Sequence, residues 1–585
     1  MKIKILLLFP FLLFSYLFSF SQLSLDGIIK NEKDEPLSGA TVILENKATK
    51  FKKATQTADN GSFHFADLSA GKGYSLSFTY VGYASYVIEK IEAVPGKPLN
   101  FDISLEPANS INDEVVVVAY STQKKANLTG AVDQVSGKVL ENRSISNVSQ
   151  GLQGMIPNLN LIMGDGKPIQ SPAFNIRGNT SIGQGGNALV LIDGVEGNVS
   201  LLNPNDIASV TVLKDASSAA IYGARAAFGV VLITTKSPTK GKTSINYSTN
   251  LSVKSPVVKP DYVTNGYTFA KIFNEAWSAW NDYSQFPQNV NKTVKFSQEY
   301  LAEYERRNND PSLPKIDINP TTGEYVYYGN TDWYGLLYKK NTMAMDHNLS
   351  VSGSSDKAGY LISARYYGQN GLFRYNSDDY KMYNFRAKGS VQVLPWLKVE
   401  NNAEYSNMLY HNPQNVGEGG AIWRNIADEG HEMSPLFNPD GNLSYSAAYT
   451  VGDFVLGKSG IDFDQRIFRN RTSFTAEFLR NTLRLKGDFT IQDFDDNNTN
   501  KRVPVPFSRK PNVVEYIGTT TNSIAEKYAE TQYMASNIYA EYENKFAGKH
   551  SIKALAGYNY EVSTYKALTA QRNGLVYDDA QSINL

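Results

Sequence analysis

The chain has 585 residues, with 57 basic and 57 acidic side chains, and the zero net charge excludes the basic excess of a dedicated nucleic-acid binder. It contains no cysteine, which excludes disulfides, thiolate nucleophiles and Cys-ligated metals; its five histidines (His64, His347, His411, His431, His550) are too scattered for a local ligand motif. Hydrophobic residues are 42% of the chain, enough for sizeable cores, and the length predicts three or four units at about 150 residues each.

Lys2 and Lys4 precede an apolar run from Ile5 to Phe20, interrupted by Pro10 and Ser15 and followed by Ser21. The run is short for a spanning helix of about 20 residues and reads as a secretory signal over 1–21, cleaved after Ser21. No cysteine follows, so a lipid anchor there is excluded, and no later run has helix-spanning length. Membrane residence of the exported chain would therefore be through β-strands. Residues 22–106 then alternate short β-rich runs with turns: Ala40 to Leu44, Tyr74 to Thr79, and the turn Asp59-Asn60-Gly61 ahead of Phe63 and Phe65. This texture predicts a small β-sandwich. Gly39-Ala40-Thr41-Val42, Asp59 to Phe63 and Tyr80-Val81-Gly82-Tyr83 resemble the carboxypeptidase-regulatory-like domain, a name that implies no peptidase.

Within a polar linker, 107–127, Asp113-Glu114-Val115-Val116-Val117-Val118-Ala119-Tyr120 has strong β propensity. On residues alone it reads as a buried strand, with a strand offered to a partner as the functional alternative. The run resembles the TonB box of the SusC/RagA-type TonB-dependent transporters of the outer membrane, with Ala119 and Ser121 where that family usually has Gly. Four stretches within 128–240 resemble the same family's plug domain: Ser149 to Pro157; Asn175-Ile176-Arg177-Gly178; Leu189 to Val195, with Asp193-Gly194; and Asn203 to Val230, with Lys214, Asp215, Tyr222, Gly223 and Arg225. Asn158 stands where Gly is usual and Phe228 where Asn is usual. The residues themselves predict a compact α/β unit, with Asp193-Gly194 as a turn and Asp215 capping an Ala-rich helix through Ile221. Arg177 and Arg225 are candidates to pair with acids of the plug or a surrounding wall. Gly183-Gln184-Gly185-Gly186 has no following Gly-Lys-Ser/Thr and reads as an apex, not a phosphate loop.

From Ile245 onward, apolar and polar residues alternate, as in Tyr383, Phe385, Ala387 against Asn384, Arg386, Lys388, and in Ala403 and Tyr405 against Asn402, Glu404, Ser406. Nine strands of roughly ten residues are predicted, near 245–253, 347–353, 359–367, 383–393, 397–405, 471–479, 483–492, 533–546 and 550–561. A soluble sheet with one wet face gives the same alternation, and only the signal and the plug resemblance favour a barrel. Short connections at 394–396, 480–482 and 547–549 alternate with long ones at 254–345, 407–470 and 493–532. Phe269, Ile272, Phe273, Ala276, Trp277 and Trp280 predict a helix in the first long loop, read as local core. Asp493, Asp495 and Asp496 read as a solvated loop without calcium-loop spacing.

The fold expected is mainly β: sandwich, α/β plug, and over 241–585 about 9 of the roughly 22 strands of a large plugged barrel, the N-terminal part of a longer protein. The resemblance implies energised import across the outer membrane of large nutrients, glycan oligosaccharides first and peptides as the alternative. It also implies an inner-membrane TonB complex gripping 113–120, a SusD-type surface lipoprotein as lid, and N-terminal domains in the periplasm. A non-transporting fragment and a passive surface barrel are the competing readings. No catalytic constellation, cofactor motif or metal motif supports an enzyme.

Overall fold

The computed structural model describes residues 23–583 apart from 32–33, 47, 81–82, 84, 95–96, 98, 106–114, 119–120, 125–130, 142, 163–165, 170, 177–185, 239–240, 258–260, 285–286, 288–295, 417–421, 480–481, 547–549 and 581. The signal segment therefore lies outside the described residues. The chain divides into two compact units, 1–130 and 131–585.

In the first unit, β1 (Leu23–Lys30), β2 (Thr41–Asn46), β3 (Phe51–Gln56), β4 (Ser62–Leu68), β5 (Gly71–Thr79), β6 (Tyr86–Ala93) and β7 (Leu99–Ser104) form two sheets, ordered β4-β1-β7 and β3-β2-β5-β6. Their alternate residues Leu25, Val42, Leu44, Phe63, Phe65, Leu76 and Phe78 meet in one core, so the period-two pattern delivers the predicted sandwich. Gly61 adopts φ +73, and a Cβ there would stand 2.5 Å from the Ile29 carbonyl oxygen, so the turn before Phe63 needs glycine on two counts. A separate hairpin joins β8 (Val115–Val118) to β9 (Ser121–Lys124), with Val115 opposite Lys124 and Val118 opposite Ser121.

The second unit begins with the plug. Its strands are β10 (Val132–Ser136), β11 (Asn160–Ile162), β12 (Ala173–Asn175), β13 (Leu189–Ile192), β14 (Val195–Glu196), β15 (Ile207–Leu213) and β16 (Val230–Thr235). Five of them make a sheet ordered β10-β15-β16-β13-β14, and β11 pairs with β12. Val148, Leu152, Ile207, Val210, Val231 and Ile233 fill its core. Asp215 caps the following turn as expected, its carboxylate accepting from Ser218 N at 2.7 Å. The helix is shorter than predicted: Ala216–Ala219 gives way to a 3-10 segment, Ala220–Ala226, kinked where Gly223 takes φ 61 and ψ −146. Asn158 has φ 62, a left-handed conformation that Asn tolerates among non-glycine residues, which explains how it stands in a glycine's place.

The wall follows. Its strands are β17 (Gly241–Lys254), then, after the small pair β18 (Ile316–Ile318) and β19 (Tyr325–Tyr327), β20 (Thr342–Ser354), β21 (Ala358–Asn370), β22 (Asp379–Leu394), β23 (Leu397–Pro413), β24 (Gly460–Phe478) and β25 (Leu483–Arg502). A second small pair, β26 (Val505–Lys510) and β27 (Val513–Ile517), precedes β28 (Ser523–Phe546) and β29 (His550–Asn573). The nine wall strands pair antiparallel in sequence order, β17-β20-β21-β22-β23-β24-β25-β28-β29. All nine stand where alternation placed them, but they run 13 to 24 residues rather than ten. Asp493, Asp495 and Asp496 consequently lie inside β25 and not in a loop; Asp496 pairs with Lys527 of β28 at 3.2 Å. The reading failed there because strand pairing continues to Arg502 where the apolar–polar alternation has stopped, so the polar strand residues look like loop.

Short turns crowd one end of this sheet, and the segments 255–341, 371–378, 414–459 and 503–522 gather at the other. The three longest form one layer. Gly329 N donates to Met433 O at 2.9 Å and Thr331 N to Glu432 O at 2.8 Å. Trp333 Nε1 donates to His431 O at 3.1 Å, and Asn438 joins Tyr327 to Ser508. The helix Gly266–Trp280 forms as predicted, with Phe269 and Phe273 packed on a tyrosine-rich core around Tyr300, Tyr304 and Tyr327. Ile272 and Trp280 are not core: they are 54% and 89% exposed, and Trp277 is 37% exposed, because only one stripe of the helix meets the layer.

Glu432 sits at this joint with Oε2 lacking a hydrogen-bond partner, and burial pushes its carboxyl up to about 7. The folded layer thus favours the protonated acid, so stability is greatest below the ordinary carboxyl range and declines as pH rises towards 7. Glu432→Gln is expected to stabilise by on the order of 1–3 kcal/mol at pH 8 and to change little at pH 5, read from thermal unfolding at both pH values.

Candidate functional site

The wall has two unlike faces. Tyr247, Leu251, Ile362, Phe385, Tyr405, Phe489, Ile538 and Tyr558 are exposed, whereas Asp346, Arg365, Asn384, Arg386, Glu404, Arg469 and Asp488 are buried. A soluble sheet buries its apolar face; here the apolar face points out and the charged face carries the plug. That inversion is the arrangement of a membrane-spanning barrel wall. Among the described residues no helix is long and apolar enough to cross a membrane, which says nothing about strands.

The plug is held by a buried ionic seam. The Asp193-Gly194 turn joins β13 to β14 with φ 50 and φ 88, the paired positive values of a type I′ hairpin turn. This aims the Asp193 carboxylate back at β16, where it accepts from Thr235 N at 2.9 Å and Thr235 Oγ1 at 2.6 Å, and outward at the wall, where Asn402 Nδ2 donates at 2.9 Å. Asp206, at the head of β15, accepts from Arg386 Nε at 3.2 Å. Arg386 Nη2 lies 2.8 Å from Glu404 and Nη1 lies 3.8 Å from Asp193, so one guanidinium with 2% exposure serves two plug acids and one wall acid. Strand register sets this up: Arg386 stands opposite Glu404, and Glu404 opposite Arg469. Arg469 completes the row, 3.5 Å from Glu404.

Burial would raise the Asp193 carboxyl, but the Lys388 and Arg386 cations and the Thr235 bonds outweigh it and hold the group down to about 2. At Asp206 burial wins over the Arg386 charge and the carboxyl is raised. Around this seam, Asn384 Nδ2 donates to Leu201 O at 2.7 Å, and Arg365, paired to Asp346 at 2.8 Å, donates to Ile145 O at 2.8 Å. Leu201 itself inserts among Tyr367, Tyr380, Met382, Met408 and Tyr410 of the wall, an apolar anchor worth about 1.5–3 kcal/mol.

The residues singled out from sequence divide between these places. Asp193 and Gly194 form the seam's turn. Arg225 bridges Glu196 of the plug at 2.5 Å and Glu561 of the wall at 2.8 Å, while Lys214 pairs with Asp133 inside the plug. Tyr222 packs beside Leu189 and Leu213, and Gly223 makes the kink. Val115, Val116, Val117 and Val118 form β8, whereas Asp113, Glu114, Ala119, Tyr120, Arg177 and Gly178 lie outside the described residues. Sequence reasoning did not assign Asp206, Arg386, Glu404 or Arg469 a role. Arg386 and Glu404 carried a signal, as charges on the polar phase of strands that alternation had placed, whereas Asp206 lies in the 3-10 turn Pro204–Asp206 and Arg469 in the stretch 407–470 read as a long connection.

A plug seated by buried ion pairs on an inside-out wall is the arrangement of part of a plugged β-barrel. Family models agree: the carboxypeptidase regulatory-like domain matches residues 24–106 and the TonB-dependent receptor plug domain matches residues 124–230. The chain is 28% identical over 567 residues to TonB-dependent receptor P26 of Formosa agariphila, covering 94% of this chain and 50% of that protein. It is 28% identical over 403 residues to TonB-dependent receptor SusC of Bacteroides thetaiotaomicron, covering 66% of this chain and 34% of SusC. The RagAB peptide importer in its open-open state shares the fold, with TM-score 0.62 and 22% identity over 80% of this chain and 51% of that one. These matches support a SusC/RagA-type TonB-dependent transporter, and the curated relatives are receptors rather than enzymes. It spans about half the length of P26 and about a third of SusC.

Proposed function

We propose that this chain serves TonB-dependent import of large nutrients through the outer membrane, glycan oligosaccharides foremost, with peptides as the alternative cargo. The observation that carries the reading is the wall's inversion, apolar outside and charged against the plug, which suits a lipid-embedded barrel holding a plug that can be displaced. In this reading the sandwich and residues 113–120 face the periplasm and the long segments face outward. An inner-membrane TonB complex pairs with the Val115–Val118 strand by β-augmentation. A SusD-type lipoprotein covers the outer loops.

Deletion of 113–120 from the full-length protein is expected to abolish uptake of a fluorescent oligosaccharide while leaving the barrel assembled, as read by protease resistance of the wall. Uptake that survives the deletion overturns energised import and favours a passive surface barrel. Competition by unlabelled oligosaccharide or by peptide then decides the cargo.

A further inference from the structure

Strands β8 and β9 pair with each other and, among the described residues, with no other strand, so they make a sheet of two. A two-stranded ribbon is marginally stable in water, and a third strand is what it lacks. Its register fixes which backbone groups are free. Val118 stands opposite Ser121 across two intervening residues, so this closing pair exchanges backbone hydrogen bonds. The bonding then alternates: Val116 and Gln123 form a second bonded pair, while Val117–Thr122 and Val115–Lys124 are non-bonded pairs. The N–H and C=O groups of Val115 and Val117 therefore point away from β9, about 7 Å apart along the strand. The two edges also differ in composition. β8 is four consecutive valines, whereas β9 reads Ser121-Thr122-Gln123-Lys124, polar and ending in the lysine that commonly blunts an exposed edge.

We propose that the chain presents its partner-binding strand ready-made, as the edge of this hairpin. One extended strand of the TonB complex adds to the β8 edge, bonds to the backbone of Val115 and Val117, and leaves the β8–β9 pairing intact in a three-stranded sheet. The inference rests on the import reading above and adds to it a register and a task for Ser121–Lys124. A lone flexible segment is ordered at the moment of binding, and that ordering subtracts from affinity. With β9 alongside, β8 is already extended, so less is lost. Strand β9 is thus a positioning element that touches no partner.

The absence of cysteine from this chain makes the test direct. Val115 and Lys124 form a non-bonded pair, whose Cα atoms in an antiparallel ladder lie about 4.5 Å apart, within disulfide reach. Val115→Cys with Lys124→Cys therefore locks the hairpin on oxidation. The full-length protein in detergent is titrated with the purified periplasmic domain of TonB, oxidised and reduced. The oxidised form is expected to bind as tightly as the reduced form, or up to about ten-fold tighter. Adding Val117→Pro to the locked pair removes one outward N–H at a sheet edge, where proline is tolerated, and should weaken binding about five-fold or more. Should that disulfide form incompletely, Val117→Cys with Thr122→Cys gives the same comparison of oxidised with reduced. Binding that oxidation weakens and reduction restores shows that TonB displaces β9, and it overturns the hairpin while import stands. Indifference of the locked pair to Val117→Pro overturns it equally. An unsubstituted protein that the TonB domain does not bind overturns the import reading, and the hairpin's task falls with it.

Discussion

Arg386→Ala is expected to free the plug from the wall while the nine-stranded sheet stays folded. The substitution leaves Asp193, Asp206 and Glu404 facing one another in a dry seam without the cation they share. Removing one partner of a buried ion cluster costs about 3–5 kcal/mol, several times what an exposed pair contributes. Hydrogen exchange in the full-length protein would read this as lost protection over Ile207–Leu213 and Leu189–Ile192, with β22 to β24 unchanged. Unaltered protection of the plug strands would show that the seam does not hold the plug. Arg386→Lys keeps the charge but loses the fork that reaches three acids at once, so it should fall between. A second arm uses pH. The Asp193 carboxyl is depressed from its ordinary 3.8 to about 2, so its contribution is fully present above about pH 4 and disappears as pH falls through about 2. In Asp193→Asn that acid-side decline should vanish.

The wall was legible because period-two alternation is a local property, repeated over every strand. What joins the wall to the plug was not, because Asp193 and Asp206 meet Arg386 across about half the wall's own length of intervening chain. Arg386 looked like any other polar residue between Phe385 and Ala387, and only the register of three strands aligns it with Glu404 and Arg469. Asp193-Gly194 was legible as a turn, since two successive positive φ values favour that pair, but its second task of bridging Thr235 to Asn402 was not. The helix at Gly266–Trp280 was legible from its apolar spacing, yet spacing does not say how wide the buried stripe is, and Trp280 fell outside it. The acidic run in β25 failed in the opposite sense: alternation ceases there, while the strand's hydrogen bonds continue to Arg502.

Phe385→Arg should cost up to about 2–4 kcal/mol of wall stability if the residue faces lipid near mid-membrane, and far less on a solvated surface. The geometry makes this a sharp discriminator. Phe385 stands opposite Tyr405, which stands opposite Phe468, and all three are 40–48% exposed. One residue further along the same strands runs the row Arg386, Glu404 and Arg469, all buried. Two adjacent rows of one sheet thus demand opposite chemistry, an apolar one for the bilayer and a charged one for the plug. Arginine at 385 places a cation in the first row, while the native arginine at 386 is required in the second. Folding of the two single variants into bilayers, followed by urea titration, separates the demands. Phe385→Arg should shift the wall's transition and leave plug protection intact once folded. Arg386→Ala should do the reverse. A wall indifferent to Phe385→Arg would place that face in water, and with it fall the membrane orientation of the sheet and the import reading built on it.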